Sequence, residues 1–221
     1  IINSDGHSDE KQACCKNYNV AYKVLQRFPK HNFSPRSSSK LRELDLIPHR
    51  MDLAGGFFDQ KKINGSVPGA AIICNIEPKK LADRAGMSSS TRRVIRELFG
   101  NRLPTNHSEQ ELANIILAYE NFDQDYISGA TDAYGLVFSS VCRFRFHNSY
   151  RPHAIEKIHN AEILNWLEQH LFLYFTHARP KGYQVFDGRE SFPEDVLREY
   201  SLTSDNTWEA IQDMDLEKLI E

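Results

Sequence analysis

Residues 46–54 (LIPHRMDLA) and 70–77 (AAIICNIE) read as two strands, parted by a Gly-Gly turn and the run Asn-Gly-Ser-Val-Pro-Gly. The order of the elements after them limits the fold most. The next strand pattern, CRFRFH at 142–147, arrives only after two helical stretches. Strands and helices therefore do not alternate in regular βαβ units, and mixed elements without that alternation predict an α+β fold rather than a doubly wound sheet.

The helical stretches carry their own punctuation. One runs from Thr91 to Gly100. The next starts at Ser108, where Ser-Glu-Gln-Glu has the form of a capping box. In CRFRFH, Cys142, Phe144 and Phe146 alternate with Arg143 and Arg145, which predicts a half-exposed strand. NAEILNWLEQH (160–170) is helical, and 171–177 reads as a buried strand. Pro193 opens the helices that close the chain, with Trp208, Ile211, Leu216, Leu219 and Ile220 as their apolar residues. Upstream, residues 8–28 form an amphipathic pattern stopped by Pro29, and the Ser- and Pro-rich run 31–40 is the clearest boundary.

A chain of 221 residues can bury one good core. Its net charge of −3 argues against bulk nucleic-acid binding. No run approaches the roughly 18 apolar residues of a membrane span. The segment IINSDGHSDEKQ lacks the basic and apolar regions of a signal peptide. The four cysteines, Cys14, Cys15, Cys74 and Cys142, make no metal-type pair. Reduced thiols in a cytoplasmic protein are the expectation.

Three stretches carry chemistry. In AGMSSSTRR, Gly86, Met87, Ser88, Ser89, Ser90 and Thr91 lead into a helix containing Arg92 and Arg93. Free backbone N–H groups, hydroxyls and the positive end of a helix dipole together suit a phosphate. A helix N-cap, which needs one hydroxyl, accounts for the same residues. In AYENFDQDYISGATDAYG, Glu120 closes a helix and Asp132 comes later in a Gly-flanked turn. Phosphoryl transfer requires a magnesium ligand and a carboxylate near the acceptor hydroxyl, and solvated acids at helix ends are the plain alternative. In PHRMDLAGGFFD, Arg50, Asp52 and Asp59 alternate with apolar residues on a strand that enters the Gly55–Gly56 turn. The nine histidines form no metal-type pair and read as surface or packing residues.

In this order, the three stretches resemble the GHMP small-molecule kinase superfamily over roughly residues 46–221, closest to its fucokinase and heptose-kinase members. The resemblance implies a GHMP kinase-like N-terminal domain over 46–150 and the start of a C-terminal α+β domain over 151–221. It implies transfer of a phosphoryl group from Mg-ATP to a sugar hydroxyl, with ATP and Mg2+ as cofactors and a sugar as the small-molecule partner. Asp132 would be the catalytic base. Arg50 would lower the acceptor's pKa or neutralise developing charge. Asp59, Gly55 and Gly56 would hold the sugar, Ser90 and Glu120 would bind magnesium, and Gly86 through Thr91 would wrap the triphosphate. Ser88 stands where the usual motif has its second glycine, and no third, Gly-rich motif occurs before Glu221. That absence, with the missing initiator Met, leads us to expect either part of a longer protein or a degenerate relative.

Residues 1–45 bear a weaker resemblance to the end of a cytidylyltransferase-type domain, carried by IINSD and SPRSSSKLREL, but lack its His-x-Gly-His motif. A Ser-rich linker with a helix explains them equally well. Two other functions thus stand beside the sugar kinase: a catalytically silent sugar-binding or interaction protein, and a nucleotidyl transferase fragment.

Overall fold

The computed structural model describes residues 47–77, 88–100, 102–122, 127–172 and 191–220. The expectations for residues 1–45, for Gly86 and Met87, and for most of 171–177 lie outside these residues.

Four strands, β1 (His49–Ala54), β2 (Gly69–Ile76), β3 (Val141–Phe146) and β4 (Ala154–Lys157), pair in chain order, and each neighbouring pair is antiparallel. A short helix α1 (Lys61–Asn64) lies between β1 and β2. Between β2 and β3 come α2 (Ser89–Phe99), α3 (Glu109–Glu120) and α4 (Thr131–Val137). After β4 come α5 (Ala161–His170), α6 (Glu194–Asp213) and α7 (Leu216–Ile220). An antiparallel sheet with helices bears out the α+β class. β4, beyond the expected boundary at 150, is hydrogen-bonded to β3.

Successive side chains on a strand point to opposite faces, and this sheet carries a core on each. Ala71 and Ile73 of β2 join Phe144 and Phe146 of β3 in one core with Ile95, Ile116 and Leu136 from α2, α3 and α4. Ile72 and Val141 face the other way and pack with Leu167, Trp208 and Ile211 of α5 and α6. Tyr134 and Phe138 meet the Phe144 ring edge-on, each with centroids 5.7 Å apart, which seats α4 on β3.

Local signals behave as read. Ser108 caps α3 by accepting from Glu111 N–H at 3.3 Å, while the Glu111 carboxylate accepts from Ser108 N–H at 3.0 Å. Such a box contributes about 1 kcal/mol. α2 begins at Ser89, two residues before the expected Thr91, and ends at Gly100.

The expectation of a half-exposed strand holds at Arg145, whose side chain is 40% exposed, and fails at Arg143, which is only 6% exposed. α6 covers that face: Asp205 forms an ion pair with Arg143, and the Trp208 ring lies 5.8 Å from its guanidinium. A charge is buried when a partner comes with it. No described helix is long and apolar enough to cross a membrane.

Candidate functional site

β1 carries Arg50 and Asp52 two positions apart, so both side chains leave the same face of the strand. That face meets the starts of α2 and α4. Arg50 forms an ion pair with Asp132, and its Nη1 lies 3.5 Å from the Asp52 carboxylate. Burial disfavours the guanidinium's charge, but Asp132 and Asp52 outweigh it and hold Arg50 above its ordinary pKa.

Ser88 completes this cluster in an unexpected way. It occupies the N-cap position of α2 in a left-handed conformation, φ 54° and ψ 36°, yet its hydroxyl makes no cap bond. Instead Ser88 Oγ accepts from Arg50 Nε at 2.8 Å and donates to Asp132 Oδ1 at 2.8 Å. The N-cap reading therefore fails for the Ser88 hydroxyl. A backbone conformation that non-glycine residues seldom adopt is maintained by what surrounds it, here by both charged partners.

The next hydroxyls turn to a second carboxylate. Thr91 Oγ1 lies 2.9 and 2.8 Å from the two Glu120 carboxylate oxygens, to which it offers its one proton. Ser90 also hydrogen-bonds Glu120. Burial raises the Glu120 pKa, the Thr91 and Ser90 hydroxyls oppose the rise, and the Asp132 charge adds to it. Ser89 is half-buried beside them. Arg92 does not add charge at this turn, since it is buried and donates to the carbonyls of Ile47, at 2.7 Å, and of Pro48.

Asp132 itself sits in the first turn of α4, where the sequence suggested a turn. The start of that helix is fixed by Asp59. Asp59 Oδ2 accepts from Thr131 N–H at 3.0 Å and from Thr131 Oγ1 at 2.5 Å, and Oδ1 accepts from Gln60 at 3.2 Å. Asp59 is 5% exposed, so protein donors already serve the carboxylate expected to hold a sugar. Gly129 makes this approach possible, because a Cβ there would stand 1.9 Å from the Asp59 carboxyl group. In the turn after β1, Gly55 has φ +72°, and Gly56 lies against the Asp52 carboxylate.

Asp132, Arg50, Ser88, Ser90, Thr91 and Glu120 thus come together, with Asp59 close enough to influence the charges of Arg50 and Asp52. Asp52 had no assigned role, although its spacing from Arg50 was a usable signal. Burial raises its carboxyl to about 6, Arg50 opposes the rise, and Asp59 and Asp132 add to it. Water still reaches 34% of its side chain, which screens these charges.

The raised Asp52 carboxyl also bears on stability. Between pH 4 and 6 the unfolded chain gives up the Asp52 proton while the folded chain keeps it, so the contribution of this group to stability falls as pH rises through that window. Asp52→Asn should therefore raise the melting temperature at pH 7.5, and the gain should shrink towards pH 4. An equal difference at both pH values would assign the effect to another cause.

Ser90 and Glu120 offer hydroxyl and carboxylate oxygens, the donors that a hard divalent cation selects. The described residues contain no group of three or more His, Cys, Asp or Glu able to hold a metal ion. Ser90 and Glu120 could give such a cation one hydroxyl and one carboxylate oxygen. Comparisons of the chain with models of protein families, with curated proteins and with solved structures find no match.

Proposed function

We propose that this protein phosphorylates a sugar, transferring a phosphoryl group from Mg-ATP to one of its hydroxyls as the GHMP-type sugar kinases do. The observation that carries this reading is the hydroxyl of Ser88, which donates to Asp132 while Arg50 donates to its oxygen. An acceptor hydroxyl about to be phosphorylated needs the same two partners, a carboxylate to take its proton and a cation beside its oxygen.

Mg-ATP, when bound, supplies the electrophilic phosphorus and the ADP leaving group. The chain's own residues do the rest. The first-turn N–H groups of α2 lack intrahelical partners and would meet the phosphates. Ser90 and Glu120 would hold the magnesium. Asp132 orients the acceptor hydroxyl and takes its proton, and Arg50 stabilises the charge that grows on the oxygen. Phosphoryl transfer asks little covalent work of a protein beyond such positioning and electrostatics.

A release assay for ADP with Mg-ATP and D-galactose, D-mannose or L-fucose tests the reading. Release stimulated by one of the sugars supports it. No stimulation by any of them favours the catalytically silent alternative, to which the engagement of Asp59 by Thr131 and Gln60 already lends weight.

Glu120 provides a second check. At about 100 times its dissociation constant a ligand adds about 2.7 kcal/mol of stability, and a tenfold loss of affinity removes about 1.4 kcal/mol of that. Glu120→Gln should reduce the thermal shift produced by Mg-ATP on this scale and leave the shift produced by sugar alone intact. Equal loss of both would make Glu120 a structural carboxylate held by Thr91.

A further inference from the structure

The loop after β1 is closed from a distant part of the chain. Ser204 Oγ of α6 donates to Ala70 O at 2.7 Å, and Ser201 Oγ donates to Pro68 O at 2.8 Å. One turn earlier, the Tyr200 ring stacks on Phe58, with centroids 4.9 Å apart and planes 14° from parallel. These contacts fix where the phenol oxygen lies: Phe57 N–H donates to it at 3.4 Å. The same oxygen feels the charges of both Asp52 and Asp59.

The phenol proton has no acceptor among the described residues, and the contact with Phe57 is exposed, so the hydroxyl is open to a ligand from solvent. Burial pushes the phenol up to about 12, the Phe57 N–H opposes the rise, and Asp52 and Asp59 add to it. Tyr200 therefore remains a hydrogen-bond donor throughout the physiological pH range.

A donor at this place answers a chemical imbalance. Asp52 and Asp132 offer only acceptors, and Asp59 is taken up by Thr131 and Gln60. A sugar hydroxyl gives one proton but presents two lone pairs, so a site built from carboxylates alone leaves oxygens unserved. Arg50 is engaged with Asp132, Ser88 and Asp52.

We propose that Tyr200 is a substrate-binding residue that sets acceptor specificity, donating its phenol proton to one oxygen of the sugar held between α6 and Asp52. The proposal rests on the reading that this site accepts a sugar. It places the choice of sugar in α6 rather than in the strand motif alone. Loss of a neutral hydrogen bond of this kind corresponds to about a two- to tenfold change in affinity.

Tyr200→Phe keeps the ring on Phe58 and removes the hydroxyl, both as donor and as acceptor of the exposed Phe57 N–H, which water then serves. The experiment measures D-galactose, D-mannose, L-fucose and their monodeoxy analogues with Mg-ATP, on wild type and variant. The expected result is a rise in KM for the accepted sugar of about two- to tenfold, with kcat, the KM for ATP and the melting temperature unchanged. One monodeoxy analogue, lacking the oxygen that Tyr200 serves, should be insensitive to the substitution. An unchanged sugar KM overturns the proposal, as does a penalty of equal size on every analogue. If wild type turns over no sugar, the kinase reading fails separately. Calorimetric binding of the same sugars without nucleotide then decides Tyr200: weaker binding by the variant supports the proposal, while equal binding, or no binding to wild type, overturns it.

Discussion

Asp132→Asn should lower kcat about a hundred- to ten-thousandfold, the range a general base contributes, while sugar affinity changes little. Asparagine has nearly the shape of aspartate, and its carbonyl can still accept from Ser88, which now donates to Asp132 Oδ1 at 2.8 Å. What disappears is the negative charge that pairs with Arg50 and the capacity to take a proton. Arg50 is not stranded by the change, because Asp52 remains 3.5 Å from it. The fold should therefore survive. A kcat split from KM in a protein of normal melting temperature identifies the base. Turnover near that of wild type would remove Asp132 from the reaction and leave it as an anchor for Arg50.

Gly55→Ala should cost about 2–5 kcal/mol of folding free energy, combining strain in a backbone of φ +72° with overpacking. A Cβ at this position would lie 1.9 Å from the carbonyl oxygen of Ala70 and 3.0 Å from Ser204 Oγ. The first of these belongs to the backbone of β2, which is paired with β3 through Ala70 and Arg145 and cannot easily yield. Gly100→Ala is the matching control. Gly100 has φ +80° and ψ −142° but nothing within 4 Å of the Cβ position, so it should lose only the conformational part, about 1–3 kcal/mol. Urea denaturation of both variants separates strain from collision. If the two variants lose the same stability, close approach of the turn to β2 is not what requires glycine at 55. Because Ser204 comes from the helix that carries Tyr200, Gly55→Ala should also weaken sugar binding more than Gly100→Ala does.

Much of the local structure was legible because its signals act over a few residues. Ser108 and Glu111 announce the start of α3, Gly100 marks the end of α2, and Pro193 marks the start of α6. These are caps and breakers whose partners lie within one helical turn. The alternation of Cys142, Phe144 and Phe146 likewise identifies β3 and its core face. From such pieces the α+β class emerges. β4 was not read, since four residues give too short a pattern, and Asp132 was assigned to a turn because its helix has only seven residues.

The sequence by itself therefore determined most of the element types, several of their ends, and the residue types available for chemistry near Arg50, Ser88 and Asp132. Only the tertiary structure decided how those side chains are used. Ser88 gives its hydroxyl to Asp132, 44 positions away, instead of capping its own helix. Asp59 reaches 72 positions to hold Thr131, and Arg143 is buried because Asp205 arrives from 62 positions away. Tyr200 accepts from the Phe57 N–H across 143 positions. A cap or an alternating strand is selected by backbone geometry within one turn, so its pattern is written in adjacent residues. The partner of a buried charge or hydroxyl is selected by which helices the two core faces of the sheet bring together, and no short-range spacing encodes that.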